Sequence, residues 1–511
     1  MSGNRSKRIA QNMIFGFLYQ GVTLILSFIS RTVFIHTLGT EYLGLNGIFT
    51  DVLKLLSMAD LGFSLAMSYS FYKPLAEDDH EKIASLIAFY NKVYNIIAVS
   101  VTILGLLFVP FLRFIIKTER EIPNLEIYYL FSLAGIVMSY LFVYKTTLLT
   151  ADQKNYKITK VRTVTSLIKT ILEVIVLMLF KNYILYLAID LLVQFGNNYY
   201  ASRMAIKEFP YIANTKNAEP LSKDDQKGIF TSLKSVFVYK LSMMLYNFTD
   251  NILISMITGT IMVGYYSNYL MLSSKLLLVE QIIFSSMTAS VGNLIVQEKE
   301  EKRLEVFNSM QSVSYIFCGI ITSLFALMAG DVVYVWLGTE FQLPTLVIIA
   351  ISINTYFSCI LQPLWIYRDA TGIYRKTKYI MLTGAVLNVV LSALMGLKMG
   401  LAGIIFASAI SRVCTYFWYE PKLLFKEYFG SNARKYFLGL LTNFALVLGL
   451  SGLIYYFSRS IKPENWFELI VKGTAIGIIC TLVFFIAYIR TDGAQNIIKR
   501  AKEMLKFVQR G

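Results

Sequence analysis

Val99-Ser-Val-Thr-Ile-Leu-Gly-Leu-Leu-Phe-Val-Pro-Phe111 carries no charged residue, and the six residues before it, Val93 to Ala98, add none. At a rise of about 1.5 Å per residue, such a window is close to the roughly 20 residues that cross about 30 Å of hydrocarbon as a helix. Ile171 to Phe180, Ile316 to Met328 and Ile476 to Tyr488 sit in windows of the same kind. Only 16% of the 511 residues are charged and 56% are hydrophobic, whereas a soluble chain carries charge at roughly a quarter of its positions. The fold class read from this pattern is all-α, a polytopic membrane protein.

Working outward from these windows, charged or Pro/Gly turns divide the chain into about fourteen candidate spans. With the N-terminus inside, about 33 Lys and Arg fall on the cytoplasmic side and about 8 outside, a strong positive-inside bias that places both termini in the cytoplasm. The formal charge of +16 therefore reads as topology. Its Lys and Arg are scattered over short loops rather than gathered into a basic face for nucleic acid. Trp336 and Trp466 fall at outer ends of spans, Trp365 and Trp418 at inner ends, where amphipathic rings prefer the interface. Arg5, Lys7 and Arg8 precede an apolar run without a small-residue cleavage site, so the run reads as a retained first helix.

The inner loop Lys207 to Lys227, with Pro210 and Pro220, reads as a solvated linker. It separates halves that match when shifted by about 220 residues. Gly39-Thr40 falls on Gly259-Thr260, Gly44 on Gly264, Phe49 on Tyr269, Leu56 on Leu276 and Asp60 on Glu280. Later, Ala151 to Lys157 falls near Ala370 to Lys376. Even span numbers per half make this a parallel repeat with a pseudo-two-fold along the membrane normal. The expected organisation is a six-helix lobe with its following inner linker over residues 1–213, a second six-helix lobe over 214–433, and an extra helix pair with a cytoplasmic tail over 434–511.

A charge at mid-helix costs about 2.5 to 3.5 kcal/mol on insertion scales, so each needs a partner, a water-filled cavity or a ligand. Lys54, Lys169, Lys240, Lys275 and Arg412 fall near mid-depth of their spans, and all are basic. Asp51 with Lys54 and Lys169 with Glu173 have helical pairing distances, so local neutralisation competes with a ligand role for these two lysines. Lys240, Lys275 and Arg412 have no acid three or four residues away. The set is read as a cationic cavity for an anion, phosphate or pyrophosphate being the commonest that basic side chains hold. Arg31 and Asp250 fall in the outer third, and the repeat sets Arg31 against Asn251, next to Asp250. This suggests a charged pair serving as an outer gate, the competing reading being partners within each lobe. Asp60 and Glu280 lie nearer the inside and complete the gate and coupling candidates. Asn247, Asn251 and Ser255 on one face of the seventh span, and Gln194, Asn197 and Asn198 in the sixth, read as interhelical hydrogen-bonding residues.

Catalytic and metal chemistry find no footing. His36 and His80 have no companions for a metal or His-based site, and Cys318, Cys359, Cys414 and Cys480 stand singly in apolar segments without metal spacing. No Walker A pattern occurs, and no cofactor is expected. An ion gradient is the natural drive, since one charge moving through 100 mV supplies about 2.3 kcal/mol. The coupling ion is left open between proton and sodium.

The run from Arg31 through Gly39-Thr-Glu-Tyr-Leu-Gly44 to Thr50, followed by Leu55-Leu-Ser-Met-Ala-Asp-Leu-Gly62 and Tyr72-Lys-Pro-Leu-Ala76, resembles the bacterial polysaccharide flippases of the Wzx type. More loosely, the span count, two six-span lobes and C-terminal pair resemble the MOP exporter superfamily. The resemblance implies translocation of an undecaprenyl-pyrophosphate-linked oligosaccharide from the cytoplasmic to the outer leaflet of the bacterial cytoplasmic membrane, by alternating access. It also implies membrane lipid and, as possible partners, a polysaccharide polymerase and glycosyltransferases. No short catalytic signature carries over. The alternatives are a multidrug or peptidoglycan-precursor exporter of the same superfamily, a membrane polysaccharide polymerase or ligase, and a scaffold of a synthesis complex. A polymerase or ligase needs a large outer loop, and the longest here is about Arg113 to Asn124.

The topology is open to direct test. In a cysteine-free background, single cysteines at Asn214 and Pro463 are expected to react with an impermeant thiol reagent from opposite sides of the membrane. Labelling of both from outside contradicts the assignment.

Overall fold

The computed structural model describes residues 2–57, 63–118, 121–215 and 218–496. Among these residues every regular element is helical. This is the outcome expected where hydrocarbon offers no partner to a peptide N–H or C=O and each segment must bond within itself. Helices α1 (Ser2–Leu38), α2 (Thr40–Leu56), α3 (Phe63–Ala76), α4 (His80–Phe108), α5 (Leu112–Ile115), α6 (Leu125–Ala151), α7 (Asn155–Phe180) and α8 (Tyr183–Glu208) precede the linker. After it come α9 (Lys223–Phe248), α10 (Asp250–Thr258), α11 (Thr260–Gln297), α12 (Glu300–Leu337), α13 (Thr345–Ile360), α14 (Gln362–Thr371), α15 (Tyr374–Cys414) and α16 (Tyr416–Tyr428). Then follow α17 (Arg434–Ser458) and α18 (Trp466–Tyr488).

Local sequence explains where the helices begin. Asn182 accepts from the N–H groups of Ile184 and Leu185, and Asp79 from that of Lys82. Asn465 and Glu468 form a reciprocal box: Asn465 accepts from the Glu468 N–H, and Glu468 from the Glu464 N–H. Each satisfies donors that the first helical turn leaves without partners. Turns are made by residues with positive φ, Gly39 and Gly259 among them, at +93° and +96°.

Among the described residues, eight helices are long and apolar enough to cross a membrane, or ten if each of two bent pairs counts as one span, against the fourteen anticipated. One expected span, 43–72, runs partly outside the described residues. Polar residues dilute the apolar window in α8, with Asp190, Gln194, Asn197 and Asn198, and in the α9–α10 pair. Helices α15 and α16 pass as one stretch although the backbone turns inside α15 at Gly400 (φ 58°, ψ −139°).

The chain divides into two compact units, Met1–Gly264 and Tyr265–Gly511. In the first, α1 packs mainly on α7, α6 on α8 and α4, and α2 on α6, α9 and α10. In the second, α12 is central and packs on α13, α17 and α18. Its core gathers aromatic side chains around Phe307, which meets Tyr367, Phe425, Phe429 and Tyr436.

The repeat reappears in backbone and side-chain detail. The turn Ala151 to Lys157 has its positive φ at Gln153 (57°), and the matching turn at Gly372 (66°). Lys157 pairs with Glu208 at the end of α8; Lys376 pairs with Glu427 near the end of α16 at 2.7 Å. A shift of 219 residues carries both members of the first pair onto the second.

Glu208 also takes Lys154, at 2.6 Å, and hydrogen bonds from Lys154 and then Lys157 hold its carboxyl below the usual range. A depressed carboxyl stabilises above the unfolded pKa, about 4.3, and loses that contribution as pH falls through the folded value. Glu208→Gln is therefore expected to lower stability at pH 7 by about 1 kcal/mol, the scale of a half-exposed ion-pair network. The gap between variant and parent in thermal unfolding in detergent should close below about pH 4. A gap that is unchanged across this range contradicts the assignment.

Candidate functional site

Within the first unit, the face of α2 that follows Gly39 is shaped by close approach. A Cβ on Gly44 would overlap the Thr260 carbonyl oxygen, and one on Gly264 would overlap that of Thr40. The two residues matched by the repeat thus sit on each other's threonine, and glycine is required at both. One turn along, Gly47 faces Val263 and Asn251. Asn251 donates to the buried Asp51 carboxylate at 2.8 Å. Ser255 donates to the Ile115 carbonyl at 2.9 Å, and the Thr260 N–H to that of Lys117 at 2.9 Å. The loop after α5 is thereby tied to the α10–α11 turn. Asn251 and Ser255 make the interhelical bonds anticipated of them, while Asn247 bonds back to Met243 of its own helix.

The Lys54 charge acts on the Asp51 carboxylate one turn back. The ammonium lies 4.6 Å from the Phe248 ring centroid, and the Lys54 side chain lines a cavity of about 250 Å³ between α2, α6 and α8, with Asn46, Thr50, Ser132, Asp190 and Gln194. Lys169 stands near Glu173 at 3.6 Å, as helical spacing suggests, but its shorter pairing is with Asp190 across the α7–α8 hairpin. Asp190 is thus shared between Lys169 and the cavity that Lys54 enters. Sequence spacing passed it over; the available signal was its position in α8, at a distance from the Lys181-Asn182 turn comparable to that of Glu173 and Lys169 in α7.

The remaining candidates are dispersed. Lys240 is half-buried on α9 in the first unit. In the second unit Lys275 is half-buried on α11, and the buried Arg412 guanidinium lies 5.4 Å from the Phe357 ring centroid. Glu280 is fully buried and accepts from Ser314 at 3.2 Å. Arg31 is half-buried near the end of α1, where Phe34 packs edge-on against Tyr183 and Tyr186 of α8. Asp250 begins α10, which packs on α2, α5 and α9. Asp60 lies outside the described residues. A buried pair the sequence did not suggest, Arg368 with Glu420 at 3.8 Å, joins α14 to α16. Among the described residues no three His, Cys, Asp or Glu side chains gather where they would hold a metal. His80 stacks on Tyr211 of the linker at 4.1 Å.

A family model described as polysaccharide biosynthesis protein matches residues 9–291. The chain belongs to that family. The match takes in the Arg31 to Ala76 stretch that carries the resemblance to Wzx-type flippases. No curated protein matches the chain. Solved structures do. A structure titled lipid II flippase MurJ in an inward closed conformation is 16% identical, with a TM-score of 0.67, covering 93% of this chain and 98% of that one. An inward-facing multidrug resistance transporter of the MATE family, of the MOP superfamily, has a TM-score of 0.55 at 12% identity over 77% of this chain and 93% of that chain. The Vibrio cholerae MATE transporter VcmN, in a mutant form, has a TM-score of 0.53 at 17% identity over 83% of this chain and 98% of its own. At these identities the likeness establishes the fold alone, and the structures that share it are titled flippases and transporters.

The shared carboxylate generates a coupling test. Asp190→Leu is expected to destabilise the protein by leaving Lys169 with Glu173 alone. Lys169→Leu combined with Asp190→Leu should recover part of the loss, with an interaction of about 0.5 to 3 kcal/mol in a double-mutant cycle. Strictly additive effects on unfolding in detergent would contradict the pairing.

Proposed function

We propose that the protein is a flippase that moves an undecaprenyl-pyrophosphate-linked oligosaccharide from the cytoplasmic to the outer leaflet of a bacterial cytoplasmic membrane by alternating access. The observation that carries this reading is the match of a polysaccharide biosynthesis family to a transporter fold. Its physical support is Lys54 entering a polar cavity inside that fold. A pyrophosphate with a sugar cannot enter hydrocarbon without replacing its water, whereas its polyprenyl tail can stay in lipid. Lys54, Lys240, Lys275 and Arg412, with Lys169 once it leaves its carboxylates, are assigned to that replacement. The same basic set disfavours an organic cation as cargo.

A peptidoglycan precursor is the second reading. It is favoured by the likeness to a structure titled lipid II flippase, and it presents the same polyprenyl-pyrophosphate chemistry to the protein. For coupling we assign Glu280. It is buried, with Ser314 as a neutral donor and no ion pair among the described residues. Such a carboxyl group suits uptake of a proton or a sodium ion driven by the membrane potential. Arg31 and Asp250 remain the proposed outer gate, and Asp60 a further coupling candidate. A polymerase and glycosyltransferases are the partners such a cycle requires.

Alanine at Lys54, Lys240, Lys275 or Arg412 is expected to reduce surface polysaccharide without removing the protein from the membrane. A lost charge-assisted bond of about 1.5 to 3 kcal/mol corresponds to roughly tenfold or more in substrate affinity. Lysine-to-arginine changes should be milder because they keep the charge and alter its shape. Normal export by all four alanine variants at equal expression would reject these assignments.

A further inference from the structure

The α16–α17 junction holds a groove that the transport reading leaves unused. Trp418, Lys422 and Lys426 recur at four-residue spacing on α16, and therefore on one face, with the Lys422 ammonium 4.9 Å from the Trp418 ring centroid. Gly430, at a φ of +54°, turns the chain, and Asn432 accepts from the Arg434 N–H at 3.1 Å as α17 starts. Between the two helices lies a cavity of about 970 Å³ with Lys422, Lys426, Ser431 and Arg434 at its polar end. Its wall continues down α17 as Phe437, Leu438 and Leu441, and the two leucines are 53% and 64% exposed.

The charge is predominantly basic. Lys422, Lys426 and Arg434 are all exposed, and no acid is among the lining residues. Glu427 holds Lys376 and Glu420 faces Arg368, while the Glu300 carboxylate stands beside Gly430 at the rim of the groove. Ser431 Oγ is buried without a hydrogen-bond partner in the described structure. The first N–H groups of α17, a helix of 25 residues, add the positive end of its dipole. Because α17 is long and apolar enough to span, its first turn stands at headgroup depth and its next turns at the depth of acyl chains. Cations above an apolar wall match a ligand with an anion at one end and a hydrocarbon chain at the other.

We propose that this groove binds an anionic membrane phospholipid. Its phosphodiester sits among Lys422, Lys426 and Arg434, and an acyl chain lies along Phe437, Leu438 and Leu441. A zwitterionic headgroup is a poorer occupant, because its own ammonium would face three cations. A basic pocket between membrane helices is a recurrent means of holding such headgroups. The site is independent of what the transporter carries.

The test uses the full chain, delipidated in detergent and titrated with phosphatidylglycerol or phosphatidylcholine, bound lipid being read by native mass spectrometry. Phosphatidylglycerol should bind at least about fivefold more tightly than phosphatidylcholine, the scale of one charge near such a surface. The triple variant K422Q/K426Q/R434Q should weaken phosphatidylglycerol on the order of a hundredfold. K223Q/K227Q, altered in the exposed start of α9, should bind as the parent does. Equal binding of the two lipids overturns the proposal and requires no variant. So does unchanged phosphatidylglycerol binding by the triple variant, or its complete displacement by equimolar inorganic phosphate, which would mean an anion site without a lipid.

Discussion

A backbone peptide group in hydrocarbon has no solvent to bond to, and everything else in this molecule is arranged around that constraint. It makes every span a helix, and it confines departures from helical geometry to places where another group supplies the missing partner. The break between α10 and α11 is one such place. There the Thr260 N–H, freed by the turn at Gly259, is taken by the Lys117 carbonyl, and Ser255 satisfies that of Ile115. The same logic governs side chains. Asp51, Lys169 and Glu280, polar groups within helices, each meet a donor or an opposite charge.

How much of this was legible beforehand depended on whether a feature is one-dimensional. Apolar length is, so the long helices α4, α12, α17 and α18 could be read from hydropathy. Turn glycines are too, because Gly39 and Gly259 recur at a fixed offset with the same following threonine. Pairing across helices is not. Lys169 was matched to Glu173 by spacing along one helix, but its closer partner Asp190 lies beyond a turn, and which faces meet depends on rotation about the helix axis. Asp51 feels Lys54 along its own helix, but it also meets Asn251, 200 residues away.

Each unit holds internal charge both with carboxylates and with aromatic faces. In the first, Lys169 has Asp190 and Glu173, while the Lys54 ammonium lies near the Phe248 ring. In the second, Arg368 and Glu420 form the buried pair, while Arg412 lies over the Phe357 face, a contact that attracts a cation through the ring quadrupole and leaves its formal charge in place.

The reciprocal seat of Gly44 on Thr260 and of Gly264 on Thr40 bears on how the two halves have drifted apart. Over most of their length the halves have lost visible likeness, yet around this crossing they keep Gly-Thr followed four residues later by Gly. Each copy is the mould in which the other is cast. A side chain gained in one half would need room made in the other half's main chain, which no side-chain substitution can readily provide. Self-complementary contact of this sort resists divergence from both directions. It acts as a molecular fossil of the duplication, preserved because neither copy is free to change alone.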